Sequence, residues 1–373
     1  MQSPMKYFAA MKDHRHPSYT RHPLTTIIGI TIAAVICGAK DWYDIEDYGR
    51  EKATWLGQFL DISNGIPSHD TFRLFFLTCD PQALQDCFIE WVKEVADLAE
   101  GRIISVDGKT LKGSKRSEHN YFIHLVSAWC STNNMVLGQQ KVDQHSNEIT
   151  AIPLLLDRLM LKGCLVTIDA MGCQQQIAEK VVNNGADYLL AVKGNQQVLL
   201  DDIKEAFTYA KAQDSYSQTE VGHGRVETRT VSVITDTDWL CNKEDWVKLA
   251  CLVMVFSKRY DKKTGEEQTS ERYYISSSKA TAKYFCRAVR SHWEIENKLH
   301  WMLDVSFGED SSKKQAGDAA QNFSLISKVA LNMIQNHRDT EYRGTKKISA
   351  KRKRNMAAWN NDYLLEILLS FNH

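Results

Sequence analysis

Three acidic residues, Asp107, Asp169 and Glu296, stand where they could converge on divalent cations. The chemistry such a set supports is metal-assisted phosphodiester cleavage, in which one ion activates water or a 3′-hydroxyl and another stabilises the leaving oxygen. Magnesium prefers oxygen ligands and keeps several of its own waters, so a few carboxylates suffice. Asp107 closes the apolar run Arg102–Val106, and Asp169 ends a second run, Leu165–Ile168. Each has a plain structural alternative. Asp107-Gly108 is a hairpin-turn signal, and an Asp ahead of a helix is a good N-cap. On a helical wheel Glu296 shares a broad face with Val289, Trp293, Leu299, His300 and Leu303, whereas Glu294 points elsewhere. A carboxylate on that inward face must be paired or bind a cation, and an ion pair with Arg290 or His300 is the alternative.

The elements that must position these residues follow from the hydrophobic pattern. Up to about Glu100 the chain reads helical, with Ser68 as an N-cap after the turn Asn64–Pro67. Two helices around that Gly-containing turn permit a helix-turn-helix DNA reader, but an ordinary helical hairpin, the commoner arrangement, is favoured. Strands are then predicted at Arg102–Val106, Tyr121–Trp129 and Met135–Val142, a helix from Ser146 to about Leu161, and a strand at Leu165–Ile168. A helix over Cys173–Asn184, a strand at Tyr188–Val192 and a further helix to about Ala212 complete the series. Three strands, helix, strand, helix, strand, helix is the order of an RNase H-like core: an antiparallel meander extended by parallel strands. Chemistry in such sheets gathers at the carboxyl ends of strands. Asp107 and Asp169 would then sit side by side, and two adjacent carboxylates repel unless a cation lies between them.

The fold class expected is therefore α/β, an RNase H-like catalytic core with a β-rich insertion, preceded by a helical N-terminal domain. Its boundaries are a helical domain over 1–100, the first part of the core over 101–218 and the insertion over 219–280. The catalytic helix and end of the core span 281–340, and a basic tail with a last helix spans 341–373. The insertion is read from strands at Val221–Ile234, Val247–Phe256 and Glu271–Ile275, and helices from Thr281 to about Leu303 and from Asp318 to Asn336 follow it.

Bulk composition bounds this reading. With 373 residues, 43% of them hydrophobic, the chain can bury a substantial core. Lys+Arg and Asp+Glu balance at 46 each, which argues against coating nucleic acid by net charge and leaves local basic patches open. The nine cysteines are odd in number and form no C-x-x-C pair, so buried thiols in a reducing cytoplasm are expected. Leu24–Ala39 is strongly apolar but shorter than the roughly 20 residues of a membrane span. It is expected to be a buried core helix.

The strings Val106-Asp107-Gly108-Lys109, Thr167–Gly172 and His292–Asn297 together resemble the DDE-type insertion-sequence transposases, in particular the branch that includes the H-repeat-associated proteins. Gly65–Phe72, Ser146–Ile149, Lys193–Gln196, His223–Glu227 and Leu299–Val305 match as well, and the resemblance runs from about residue 5 to 370. It implies an RNase H-like catalytic domain, magnesium (or manganese) held by Asp107, Asp169 and Glu296, and cleavage and joining of double-stranded DNA at element ends and target. Two ends need two active sites, so a dimer on DNA is implied. One departure stands out. Related enzymes place Tyr, Arg and Lys at fixed spacing around the Glu, and those positions are Val289, His292 and Leu303 here. Arg290, Lys298 and His300 are candidate substitutes.

Other cations that could grip phosphate are Lys109 and Lys112, after the first Asp, Lys193 at a strand end, and Arg225 and Arg229 on a strand. The tail adds Arg343, Lys346, Lys347 and Lys351–Arg354, ahead of an apolar helix over Trp359–Leu369. For each, a solvated surface charge is the alternative. Two further functional readings stay open: a sequence-specific DNA-binding relative without catalysis, and a metal-dependent nuclease or phosphohydrolase acting on another substrate.

Overall fold

The computed structural model describes residues 3–96, 101–116, 121–222, 224–337 and 348–369. The chain forms two compact units. One comprises Met1–Asp97, Gly108–Gln144 and Asn297–His373, and the other Leu98–Asp107 and His145–Glu296. The described strands are β1 (Ile103–Arg116), β2 (Tyr121–Cys130), β3 (Met135–Lys141), β4 (Leu165–Ile168), β5 (Asp187–Val192), β6 (Asp214–Gly222), β7 (Arg225–Ile234), β8 (Cys251–Asp261) and β9 (Glu267–Ser276).

The unit containing His145–Glu296 is a mixed α/β domain. Its strands hydrogen-bond in the order β1-β4-β5-β9-β8-β7-β6. β1, β4 and β5 run parallel, joined through the helices Glu148–Leu156 and Gln175–Asn183. β5 then pairs antiparallel with β9, and β9, β8, β7 and β6 continue antiparallel. The apolar run read as one strand from Val221 to Ile234 is the end of β6, a turn at Gly224 (φ 76°) and β7. Most of β6 was missed because it is an edge strand of polar residues, Asp214–Gly222, without buried alternation. The helix Ala282–Glu294 packs Ala282, Phe285, Cys286, Ala288 and Val289 on Leu165, Leu189, Val231, Val233, Val253 and Tyr274. That row defines one face of the sheet by the period of two.

The other unit is mainly helical. Leu24–Cys37 is a core helix, buried along almost its whole length and ended by Gly38 at φ 117°. No helix among the described residues is long and apolar enough by itself to cross a membrane. Asp41 caps the next helix, Trp42–Glu51, through a reciprocal capping box with Asp44. Ser68 caps His69–Thr78 as its sequence predicts. The turn before it is fastened by buried Glu46, which accepts from the backbone N–H of His69 at 2.6 Å and meets its Nδ1 at 2.8 Å. Within this unit the remainder of β1 and the antiparallel pair β2–β3 lie in the order β3-β2-β1.

β1 corrects one expectation. Asp107-Gly108 is not a hairpin turn: the strand runs on to Arg116, and Gly108 is not among the positive-φ glycines. Ladder pairing outweighs the local turn preference.

The basic tail is also not a solvated stripe throughout. Arg343, Lys346 and Lys347 lie outside the described residues. Lys353 is buried and donates to the His337 carbonyl at 2.5 Å. Buried Arg354 donates to the carbonyls of Val35, Ile36 and Ser306 and lies over the Phe307 ring. It thereby satisfies the terminal carbonyls of the Leu24–Cys37 helix.

Candidate metal centre

The parallel register aligns Ile103 with Leu165, Ser105 with Thr167 and Val106 with Ile168. The next residue on each strand is Asp107 and Asp169, so the two acids leave neighbouring strands at the same level. By alternation they share the face of Ser105 and Thr167, while Val106 and Ile168 are buried on the opposite face. A short polar chain fixes that face to the Ala282–Glu294 helix. The Thr167 hydroxyl donates to the Ser105 hydroxyl at 3.2 Å and lies 3.1 Å from His292 Nδ1, and the Ser105 hydroxyl donates to the Ser291 carbonyl at 3.2 Å.

The helix continues from Glu294 into a π-helical segment, Ile295–His300, and then into Trp301–Val305. A π-turn adds a residue to the helical turn and is frequently found at functional sites. Here it follows directly on the strand-facing part of the helix, and Glu296 lies within it.

A cavity of about 620 Å³ is lined by Asp107, Asp169 and Glu296 together, with Lys193, His292 and Trp293 among its other walls. Asp107 and Glu296 each offer one ligand atom, and these atoms lie within 4.8 Å of each other. Asp169 lines the same cavity, and its Oδ1 accepts from the backbone N–H of Met171 at 3.1 Å and of Gly172 at 3.4 Å. It therefore caps a turn, and the Gln175–Asn183 helix begins farther on.

The structure corrects the environment of Glu296. It is exposed, and Trp293 on the same face is 50% exposed, while Ile295, Leu299 and His300 are buried. The face read as inward is therefore buried at Val289, Leu299, His300 and Leu303, while Trp293 and Glu296 border the open cavity. His300, expected to contact phosphate, is buried.

The expected phosphate-gripping cations divide into three kinds. Lys193 is exposed and lines the cavity. Arg225 and Arg290 line a separate groove with Glu220, Glu227 and Arg259, the last a residue that the sequence reading passed over. The rest are engaged elsewhere. Arg229 is held by Glu227 at 2.8 Å and Glu220 at 3.4 Å, Lys298 donates to Asn134 at 3.1 Å, and exposed Lys112 pairs with Asp310 at 2.8 Å.

Lys109 departs most from expectation. Its ammonium is bound to Asp304 and, at 2.6 Å, to Glu309, and its side chain is 12% exposed. Burial alone would lower the Lys109 pKa, but the Glu309 charge and the hydrogen bonds of both acids hold it above the ordinary lysine range. Burial works against ionised Glu309 too. The charges of Lys109 and Lys328, with the Ser324 hydroxyl at 2.6 Å, hold its pKa below the usual carboxylate range. Lys328, buried and donating to Gln139 at 2.6 Å, is itself pushed down to about 8 by burial.

A multi-stranded α/β sheet with flanking helices, and a cleft where acidic side chains meet, defines a candidate divalent-metal site of the kind that acts on phosphodiesters. The sequence relationships carry this to a family. Residues 98–333 match the family described as "Transposase DDE domain", and residues 5–92 match the "DDE_Tnp_1-associated" family. The chain belongs to the DDE transposases, in the branch of the H-repeat-associated proteins. It is 43% identical to "Putative transposase YncI" of Escherichia coli O157:H7, over 99% of this chain and 95% of that one. It is 39% identical to "H repeat-associated putative transposase YhhI" of Escherichia coli (strain K12), over 98% of this chain and 97% of that one. A short relative of the same strain, "Inactive transposase YbfQ", is 43% identical over 18% of this chain.

Proposed function

We propose that this chain is an active, metal-dependent DNA transposase that cleaves at insertion-sequence ends and joins the freed ends to target DNA. The observation that carries the reading is the register of β1 and β4, which puts Asp107 and Asp169 at one level beside the cavity that Glu296 also lines. The parallel β1-β4-β5 order supports an RNase H-like core for the domain.

The donor set fits a divalent cation: carboxylate oxygens of Asp107 and Glu296 lie within 4.8 Å of each other, and Asp169 lines the same cavity. Asp107, Asp169 and Glu296 would hold magnesium, and manganese, which also takes carboxylate and water oxygens, is an acceptable substitute. When bound, such ions lower the pKa of attacking water and stabilise the leaving oxygen. The chain's own residues do the positioning. His292, joined to Thr167, fixes the helix against β4. Lys193 at the cavity wall can balance a phosphate charge. Two such sites acting on two ends imply a dimer on DNA.

The test is cleavage and strand transfer on element-end DNA in magnesium. Asp107→Ala, Asp169→Ala and Glu296→Ala are each expected to abolish both steps while end binding survives. Full activity in all three variants would sink the assignment. Binding by the wild type without cleavage in either metal would instead favour an inactive DNA-binding relative.

A further inference from the structure

A second site lies on the same sheet face as the acid cleft. β6, β7 and β8 align Glu220 with Glu227 and Glu227 with Arg259, and on the rows beside them Arg229 and Arg225 extend the same face. The odd-numbered β7 residues Val231 and Val233, farther along this face, pack under the Ala282–Glu294 helix. From that helix Arg290 reaches Glu220 in an ion pair. The result is a groove of about 550 Å³ walled by Arg225, Arg259, Arg290, Glu220 and Glu227.

The charges in this groove do not balance. Glu220 serves Arg290 and Arg229, and Glu227 serves Arg229 at 2.8 Å and Arg259 at 3.6 Å. Two carboxylates thus hold three guanidinium groups. Arg225 adds a fourth; among the described residues no close ion pair includes it, and only the longer-range attraction of Asp261 reaches it. Asp261, opposite Arg225 in register, turns its Oδ1 to the N–H groups of Lys263 and Thr264 in its own hairpin. Arg259 also keeps a buried Nε with no hydrogen-bond partner. A buried donor left unmade is costly unless a ligand completes it. Guanidinium forks in excess over carboxylates match phosphate oxygens in charge and shape.

We infer that this groove binds the phosphodiester backbone of duplex DNA, with Arg225, Arg259 and Arg290 as contacts and Glu220 and Glu227 as counter-ions that phosphate displaces. The inference rests on the proposed action on DNA and adds where the backbone is held. The glutamates set the affinity. They keep the arginines extended in the free protein, and each contact with phosphate must first break one of these ion pairs.

The experiment is binding of a labelled random-sequence duplex by fluorescence anisotropy, without divalent metal, over a series of salt concentrations. Each phosphate contact contributes about 0.9 to the slope of log K against log salt. Arg225→Ala and Arg259→Ala are each expected to lower that slope by about 1. Arg225→Gln repeats the test with a milder change should Arg259→Ala fold poorly. Glu227→Gln is expected to tighten binding about two- to fivefold, the worth of releasing an arginine from one half-buried ion pair. Glu267→Gln is the control. It removes the same charge from the pair with Lys258 at 2.9 Å, on the opposite face of the sheet. Wild-type slopes in the arginine variants, or no tighter binding in Glu227→Gln than in Glu267→Gln, would overturn the inference and leave the DNA reading standing. No duplex binding by the wild-type protein would overturn both.

Discussion

Replacing Lys109 by Met distinguishes a buried ion pair from a phosphate contact. Lys109 is 12% exposed and its partner Glu309 7%, so the substitution strands a carboxylate away from water. Breaking a buried pair by removing one partner costs about 3–5 kcal/mol. Two features put the expected loss near the lower end, about 3 kcal/mol. Asp304, the second partner, is 30% exposed and can be rehydrated. Glu309 also keeps the Ser324 hydroxyl and the charge of Lys328. Urea unfolding of the wild type, Lys109→Met, Glu309→Gln and the double variant measures this directly. The double variant is expected to be more stable than the sum of the single losses by about 1–3 kcal/mol, as for residues in one network. A loss below about 1 kcal/mol, the range of an exposed pair, together with a reduced salt slope for DNA, would refute the buried-pair reasoning and restore Lys109 as a phosphate contact.

Two other perturbations follow from the same unit. Glu309 has a folded-state pKa held below its ordinary 4.5, so its contribution is fully present above that value and is lost as pH falls through the lower folded one. Thermal unfolding is therefore expected to fall more steeply in the wild type than in Glu309→Gln as pH drops below 4.5, and equal acid limbs would contradict the assignment. Arg354→Met removes three backbone contacts made by a buried guanidinium and should cost about 1–3 kcal/mol for the carbonyls left unpaired, without altering the DNA salt slope. Chemical unfolding and duplex titration check the two halves of that statement.

Much of this molecule was legible in its sequence, for identifiable reasons. The parallel strands β1, β4 and β5 are short apolar runs with helices between them, and hydrophobic period alone places Asp107 beside Asp169. Glu296 needed the family resemblance, because helical periodicity gives the face of a side chain and says nothing about what lies opposite. A cavity lay there, so the residue is exposed. Lys109 and Arg354 look like any surface cation in a string of letters. Their burial depends on Glu309 and on the carbonyls of Val35 and Ile36, partners distant in sequence. β6 escaped notice because a polar edge strand carries no hydrophobic period, and Arg259 because it lies on β8 beyond the apolar run that ends at Phe256.

The placement of Asp107 inside β1 has a further consequence. The strand spans 14 residues and continues well beyond the acid, so the backbone of Asp107 belongs to a hydrogen-bonded ladder. Asp169 lies just past the end of β4 in a turn, and Glu296 lies in a π-helical segment. The three acids therefore differ in how much conformational freedom remains to be lost when they close on a cation. Asp107 has already given up its share during folding, whereas Asp169 sits outside the regular ladder. Under the proposed metal assignment, Asp107 would be the fixed point of reference and Asp169 the arm with backbone freedom left to lose on binding.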